Sequence, residues 1–252
     1  MKVLNYSTLV LFLSLLILSC DDEVTDPGCE INPPESLRIS VLPVFGSEIL
    51  YLDSTYMTQE GYGVQFTDIK FYMGNPHNGT NQIIDAGLFD YRERGTTMFV
   101  TPGDPADYSS MEADLGIDSG ANHADPVAVD PTSMLYISNA NDMHWGWNPG
   151  YIFLKIEAKV DTIPDATALF NHNVVFHIGA DENIQHFSFS NITWLDAGGI
   201  YDFSLRLDMK EFLENIVSPI DLKTEFSSHT APGQEVLSDK VITNFHAAIT
   251  PN

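Results

Sequence analysis

Asp142-Met143-His144-Trp145-Gly146-Trp147-Asn148-Pro149-Gly150-Tyr151 runs directly into Ile152-Phe153-Leu154-Lys155-Ile156-Glu157-Ala158-Lys159-Val160. In the second half Ile152, Leu154, Ile156, Ala158 and Val160 face one way, and Lys155, Glu157 and Lys159 face the other. That period of two marks a half-buried β-strand. The first half gathers two of the chain's three tryptophans, a methionine and a histidine ahead of an Asn-Pro-Gly break. Histidine and indole N–H groups need hydrogen-bond partners when buried. The cluster is therefore either a packing feature or a binding site mounted at the start of a rigid strand, and both readings fit the pattern.

Strand signals of the same kind extend outward in both directions, at 37–42, 64–72, 83–91, 96–101, 134–137, 173–178, 185–189, 201–208 and 240–249. In 64–72 and just beyond, Ile69, Phe71 and Met73 alternate against Lys70 and Tyr72. Gly, Pro, Asn and Asp punctuate the runs. One helix is expected after the N-terminal segment. Asp208 caps it, Glu211 completes a capping box, Phe212, Leu213 and Ile216 form its apolar face, and Pro219 stops it. The pattern predicts an all-β fold, an antiparallel β-sandwich with one short α-helix in its C-terminal half, over residues 37–252.

Residues 1–19 read as a lipoprotein signal peptide, with Lys2 followed by an apolar run too short to span a bilayer. The run ends Leu16-Ile17-Leu18-Ser19-Cys20, which resembles a bacterial lipobox with Cys20 as the acylated first mature residue. Asp21-Asp22-Glu23 resembles the surface-export signal of Bacteroidetes lipoproteins. Residues 20–36 form an acidic, Pro-rich tether with little to bury. The expectation is an outer-membrane lipoprotein, facing the periplasm or the cell surface and held to the membrane through the lipid on Cys20. Cys29 then has no intrachain partner, so neither a disulfide nor a cysteine metal site is expected. The net charge of −24 argues against nucleic acid and against electrostatic adhesion to anionic lipid; it favours cationic partners, metal ions included. No Gly-x-Ser-x-Gly elbow, phosphate loop or HExxH is present, and the chain is not expected to be an enzyme.

Residues 142–157 resemble the signature of the MbnP-like family, the methanobactin-associated periplasmic proteins and their Bacteroidetes lipoprotein relatives. Further matches are spread along the chain: Phe66-Thr67-Asp68-Ile69-Lys70-Phe71-Tyr72-Met73, then Leu115-Gly116-Ile117-Asp118 with Asn122, then Val175-Phe176-His177-Ile178-Gly179. The resemblance implies copper handling outside the cytoplasm. In such relatives copper is bound through histidines, and a tryptophan oxidised to kynurenine lies at the site. The oxidation is assigned to a partner di-haem cytochrome c peroxidase of the MauG-like type. The chemistry is coherent, because imidazole suits copper and thioether suits Cu(I).

Carried onto this chain, the resemblance points to His144 and His177 as copper ligands with Met143 beside them, and to Trp145 or Trp147 as the modified residue. His144 also reads as a loop or capping histidine. His177 also reads as a rim residue, since Val174, Phe176 and Ile178 form the apolar face of its strand and it points the other way. His186 and His229 rank lower, and for His77, His123, His172 and His246 solvent exposure is the general expectation. On a regular strand His144 points opposite to Met143, Trp145 and Trp147, so it shares a site with a tryptophan only where the backbone is irregular. Asp118-Ser119-Gly120-Ala121-Asn122-His123-Ala124-Asp125 offers oxygen ligands at calcium-loop spacing, but turn chemistry accounts for it. Trp194, with no histidine or methionine beside it, reads as packing. A reading of another class is a structural or glycan-binding sandwich with the tryptophan pair as a stacking platform.

Overall fold

The protein is described by a computed structural model over residues 35–145, 150–163 and 169–252. The signal segment, Cys20, Cys29 and Trp147 lie outside the described residues.

Two sheets carry the fold. A six-stranded sheet holds β1 (Ser36–Phe45), β2 (Glu48–Ile49), β7 (Thr97–Pro102), β12 (Leu195–Asp196), β13 (Ile200–Asp208) and β15 (Ile249–Pro251). A nine-stranded sheet holds β3 (Thr55–Met57), β4 (Gly63–Asn78), β5 (Asn81–Gln82), β6 (Ala86–Asp90), β8 (Ser110–Leu115), β9 (Ile152–Asp161), β10 (His172–Gly179), β11 (Gln185–Ser190) and β14 (Ser227–Ser228). Their facing surfaces share one core. Ile39 and Val41 of β1 and Phe203, Leu205 and Leu207 of β13 meet Ile69 and Phe71 of β4 and Leu154, Ile156 and Ala158 of β9. Alternation along each strand produces this, since every second residue is apolar and turns inward.

The all-β sandwich expected from the sequence is what the chain forms, with differences of detail. Among the described residues two pairings are parallel: β1 with β13 over Ser36↔Ile200 to Val44↔Asp208, and β10 with β14. Residues 134–137 form no strand. Asp130, Ser133 and Asn139 draw their backbone into successive turns, and Leu135 is buried there by loop packing. Residues 240–249 belong mainly to a helix, α4 (Glu235–Ala247), not a strand. Val241, Ile242, Phe245 and Ala248 recur at helical spacing and enter the core, where Phe245 packs on Phe71 and Phe212. The expected helix is present as α3 (Met209–Leu213), and Asp208 caps it by accepting from Lys210 and Glu211 N–H. It ends before Ile216, which is almost wholly exposed rather than on an apolar face. Two further single-turn helices, α1 (Tyr91–Arg94) and α2 (Ser119–Asn122), lie under caps from Asp90 and Asp118.

The outer face of the nine-stranded sheet is covered as well. Tyr72, Leu88, Ile117, Leu135, Met143, Tyr151, Ile152 and Phe153 form a second apolar cluster beneath the connection between β8 and β9. Tyr72 alternates with the core residues of β4 as expected, yet it is fully buried on this second side.

Candidate functional site

The strand that organises the sequence reading, β9, carries a bulge at its start. Ile178 of β10 pairs with Leu154, but Gly179 pairs with Ile152, so Phe153 is an extra residue. A bulge breaks the inward–outward alternation, and Ile152 accordingly joins the second cluster while Leu154 joins the core. Beyond the bulge the chain continues as an arm past the end of β10. Ile152 N–H donates to the Met143 carbonyl at 2.8 Å, Trp145 N–H donates to the Gly150 carbonyl at 3.0 Å, and His144 bridges to Tyr151. Gly150 sits at φ +97°, and a Cβ there would lie 2.4 Å from the Asn122 carbonyl oxygen. No other residue satisfies both demands.

Asn122 braces this arm. Its Oδ1 accepts from Tyr151 N–H at 2.9 Å and its amide donates to Asp181 at 2.8 Å. Asp181 also receives His123, and Asp118 caps α2. The polar groups of 118–125 are thus largely spent on turns and on the brace.

The arm lays Trp145 across β10. A Cβ at Gly179 would lie 2.6 Å from Trp145 Cζ3 and 2.5 Å from the Tyr151 carbonyl oxygen, so the indole rests on bare backbone. Residues 177 and 179 of a strand share a face, which puts His177 next along the surface from the indole. The His177 ring lies 5.1 Å, centroid to centroid, from that of His229, with the planes 77° apart. The parallel pairing of β14 brings this about: Phe176 is opposite Ser228, and the next residue along the chain from each is a histidine. Thr230 Oγ1 then accepts from Gly179 N–H at 3.1 Å and ties the end of β10 down.

Beneath these rings runs a ladder of charge. His177 Nε2 is 3.0 Å from Glu157 Oε1, and Lys155 Nζ is 3.5 Å from the same oxygen. Lys155 also lies 3.3 Å from Asp68, Lys70 is 3.6 Å from Asp68, and Lys70 is 3.3 Å from the fully buried Asp90. Burial lowers the pKa of His177; Glu157 opposes this only in part, and Lys155 and His229 add to it. The imidazole therefore resists protonation more than a free one does. Burial works against ionisation of Glu157, but its bonds to His177 and Lys155 prevail and hold its pKa below the usual carboxylate value.

The sequence candidates are thus only partly gathered. His177 and His229 come together, and Trp145 lies over Gly179, two residues along β10 from His177. Met143 is fully buried in the second apolar cluster. His144 is half-buried, its ring edge-on to Tyr151 at 4.7 Å and its pKa lowered by burial. Trp194 packs near Phe203 and donates to the Tyr108 carbonyl at 2.8 Å. The histidines expected at the surface are mostly engaged: His77 with Glu112 and the Asn75 carbonyl, His172 with the Leu222 carbonyl, and His246 with the His186 carbonyl. His186 itself is largely exposed beside Asp114. Among the described residues no three His, Cys, Asp or Glu side chains converge as a metal cage.

The family model of MbnP matches residues 34–232. The chain belongs to the MbnP family. The match takes in the hairpin arm, β10 and His229 alike, and the resemblance read from the sequence holds. A solved structure, MbnP from Methylosinus trichosporium, is similar at 14% identity with a TM-score of 0.49, covering 81% of this chain and 86% of that one. No curated protein matches.

In this MbnP-family chain the structure sets His229 and Glu157 beside His177 and Thr230 on Gly179, whereas the sequence reading named neither Glu157 nor Thr230 as a candidate and placed His229 below His177. Glu157 was visible as an outward residue of β9. Its partner was not, because His177 lies on a strand that only tertiary pairing brings alongside.

Proposed function

We propose that the chain is an extracytoplasmic copper-binding protein of copper acquisition or handling, with His177 and His229 as imidazole ligands and Trp145 beside them as the residue oxidised to kynurenine. The observation that carries this reading is the arrangement on β10: two imidazoles 5.1 Å apart, burial opposing protonation of one, and an indole laid on Gly179 two residues along the strand. Neutral imidazole is the form that ligates metal, and nitrogen donors favour copper over zinc in the Irving–Williams order. The donors fit a site of low protein coordination, because two imidazoles leave room for a further ligand. The ring amine of a kynurenine at Trp145 would supply a nitrogen that indole lacks. Met143 and His144 shape the arm that carries the indole.

On this reading the chain is the substrate, not the catalyst, of the tryptophan oxidation, and the oxidant is hydrogen peroxide used by a partner di-haem peroxidase of the MauG-like type. Two peroxide molecules deliver two oxygen atoms across the indole C2–C3 bond, which breaks to give N-formylkynurenine and two waters. Hydrolysis then releases formate. The net change is loss of one carbon and gain of one oxygen. A stacking platform for glycans is less favoured, since Trp145 is half-buried against backbone.

Titration of the purified protein with Cu(I), Cu(II) and Zn(II) tests the metal. Copper is expected to bind in preference to zinc, and His177→Ala with His229→Ala is expected to abolish binding. A double variant that binds unchanged moves the site elsewhere, and a wild-type protein that takes up no copper overturns the reading. Peptide mass spectrometry on protein from cells containing an active partner peroxidase is expected to find kynurenine at 145 and unmodified Trp194.

A further inference from the structure

We propose that Glu157 is a positioning residue that holds the proton of His177 on Nε2, so that Nδ1 is the nitrogen offered to a metal. The ligand role of Nδ1 rests on the copper reading above; the tautomer does not. An ionised carboxylate only accepts hydrogen bonds, so at 3.0 Å from Glu157 Oε1 the Nε2 atom is the donor. A neutral imidazole has one N–H, which leaves the lone pair on Nδ1. Among the described residues no group hydrogen-bonds Nδ1.

Glu157 is itself held in place. The oxygen that accepts from His177 is also the one 3.5 Å from Lys155 Nζ. Lys155 is fixed by Asp68, Asp68 faces Lys70, and Lys70 reaches Asp90, which has no exposure at all. The orientation of His177 is thus transmitted outward from the interior of the sheet through alternating charges. Lys155 is also the cross-strand neighbour of His177 in the β9–β10 register. A carboxylate on the far nitrogen of a ligating histidine both orients the ring and raises its basicity.

The test uses metal-free, 15N-labelled protein at pH 8, where long-range proton–nitrogen correlations distinguish the two imidazole tautomers. Wild type is expected to show His177 as the Nε2–H form, and Glu157→Ala to show a mixture. Glu157→Gln is expected to retain the Nε2–H form, because one amide oxygen can serve both Lys155 and His177 as the carboxylate oxygen does. Copper affinity is expected to fall about ten- to a hundredfold in Glu157→Ala and to recover most of that loss in Glu157→Gln. An Nδ1–H tautomer in wild type overturns the proposal without recourse to any variant. So does a folded Glu157→Ala protein that keeps both the tautomer and the affinity. If wild type binds no copper but loses its Nε2–H preference in Glu157→Ala, the positioning role of Glu157 stands and the copper reading falls.

Discussion

Gly179 sets how closely the tryptophan approaches β10. Any side chain there meets the Tyr151 carbonyl at 2.5 Å and the Trp145 ring at 2.6 Å, and the first of these is backbone that cannot swing aside. Gly179→Ala is therefore expected to destabilise the protein by about 1–3 kcal/mol, the usual range for overpacking. It should also lift Trp145 off the strand. Thermal unfolding and tryptophan emission check this together; an unchanged melting temperature with unchanged emission contradicts it. Of the residues at this site, the outward direction of His177 was legible from strand alternation, and its candidacy as a ligand came from the family resemblance. The seating of Trp145 on Gly179 was not, because it depends on the bulge at Phe153, and nothing in Ile152-Phe153-Leu154 announces an extra residue.

Among the elements, β9 and α4 show what local pattern does and does not disclose. Beyond the bulge at Phe153 alternation in β9 holds from Leu154 to Val160, and its strand was legible. In 240–249 Val241, Ile242, Thr243 and Ile249 lend β-branched character to a segment whose burial follows helical spacing, and tertiary packing overrides that propensity. Phe245, fully buried between Phe71 and Phe212, is where α4 fastens to the sandwich. Phe245→Ala is expected to cost about 3–5 kcal/mol, read as a lower midpoint in chemical denaturation with the slope unchanged. The charge ladder between β4 and β9 makes a second prediction. Lys70→Met leaves Asp90 buried without its cation, although Asn141 still donates to it. Removing one partner of a buried pair costs about 3–5 kcal/mol, so equilibrium unfolding should show a loss well beyond that of a surface lysine. A loss under about 1 kcal/mol, the range of an exposed pair, would contradict the buried-pair assignment.

For the whole molecule, pH acts through groups whose pKa differs between folded and unfolded states. His246 is stacked on Phe187 at 4.6 Å, and burial lowers its pKa despite the bond to the His186 carbonyl; burial lowers that of His144 too. As pH falls through about 6.5 the unfolded histidines take up protons that the folded ones resist, so stability declines. The pKa of Asp181 is depressed in the opposite sense: burial raises it, but bonds from Ser119, Asn122 and His123 prevail. Its contribution is present above the ordinary carboxylate range and is lost on further acidification. The melting temperature should therefore fall in two stages, the first as pH drops through about 6.5 and the second below about pH 4, and a rise between about pH 7.5 and 5.5 would contradict the assignment. At the same scale, the lipid-anchor expectation is tested by Cys20→Ala, which should move the protein out of the membrane fraction. If it fractionates like wild type, the anchor lies elsewhere.

The parallel ladder between β1 and β13 also has a consequence in time. It joins residues 36–44 to residues 200–208, and Arg38 closes on Asp202 across 164 positions of chain. Contacts that distant in sequence form slowly, on the millisecond-to-second scale typical of β architectures rich in them. A polypeptide delivered N-terminus first has β1 in hand almost at once, yet lacks that neighbour until its last quarter arrives. Until then Leu37, Ile39 and Val41 have no completed sheet to hide in. Any product that stops short of Ile200 therefore leaves the β13 edge of β1 open, with only β2 and β7 beside it.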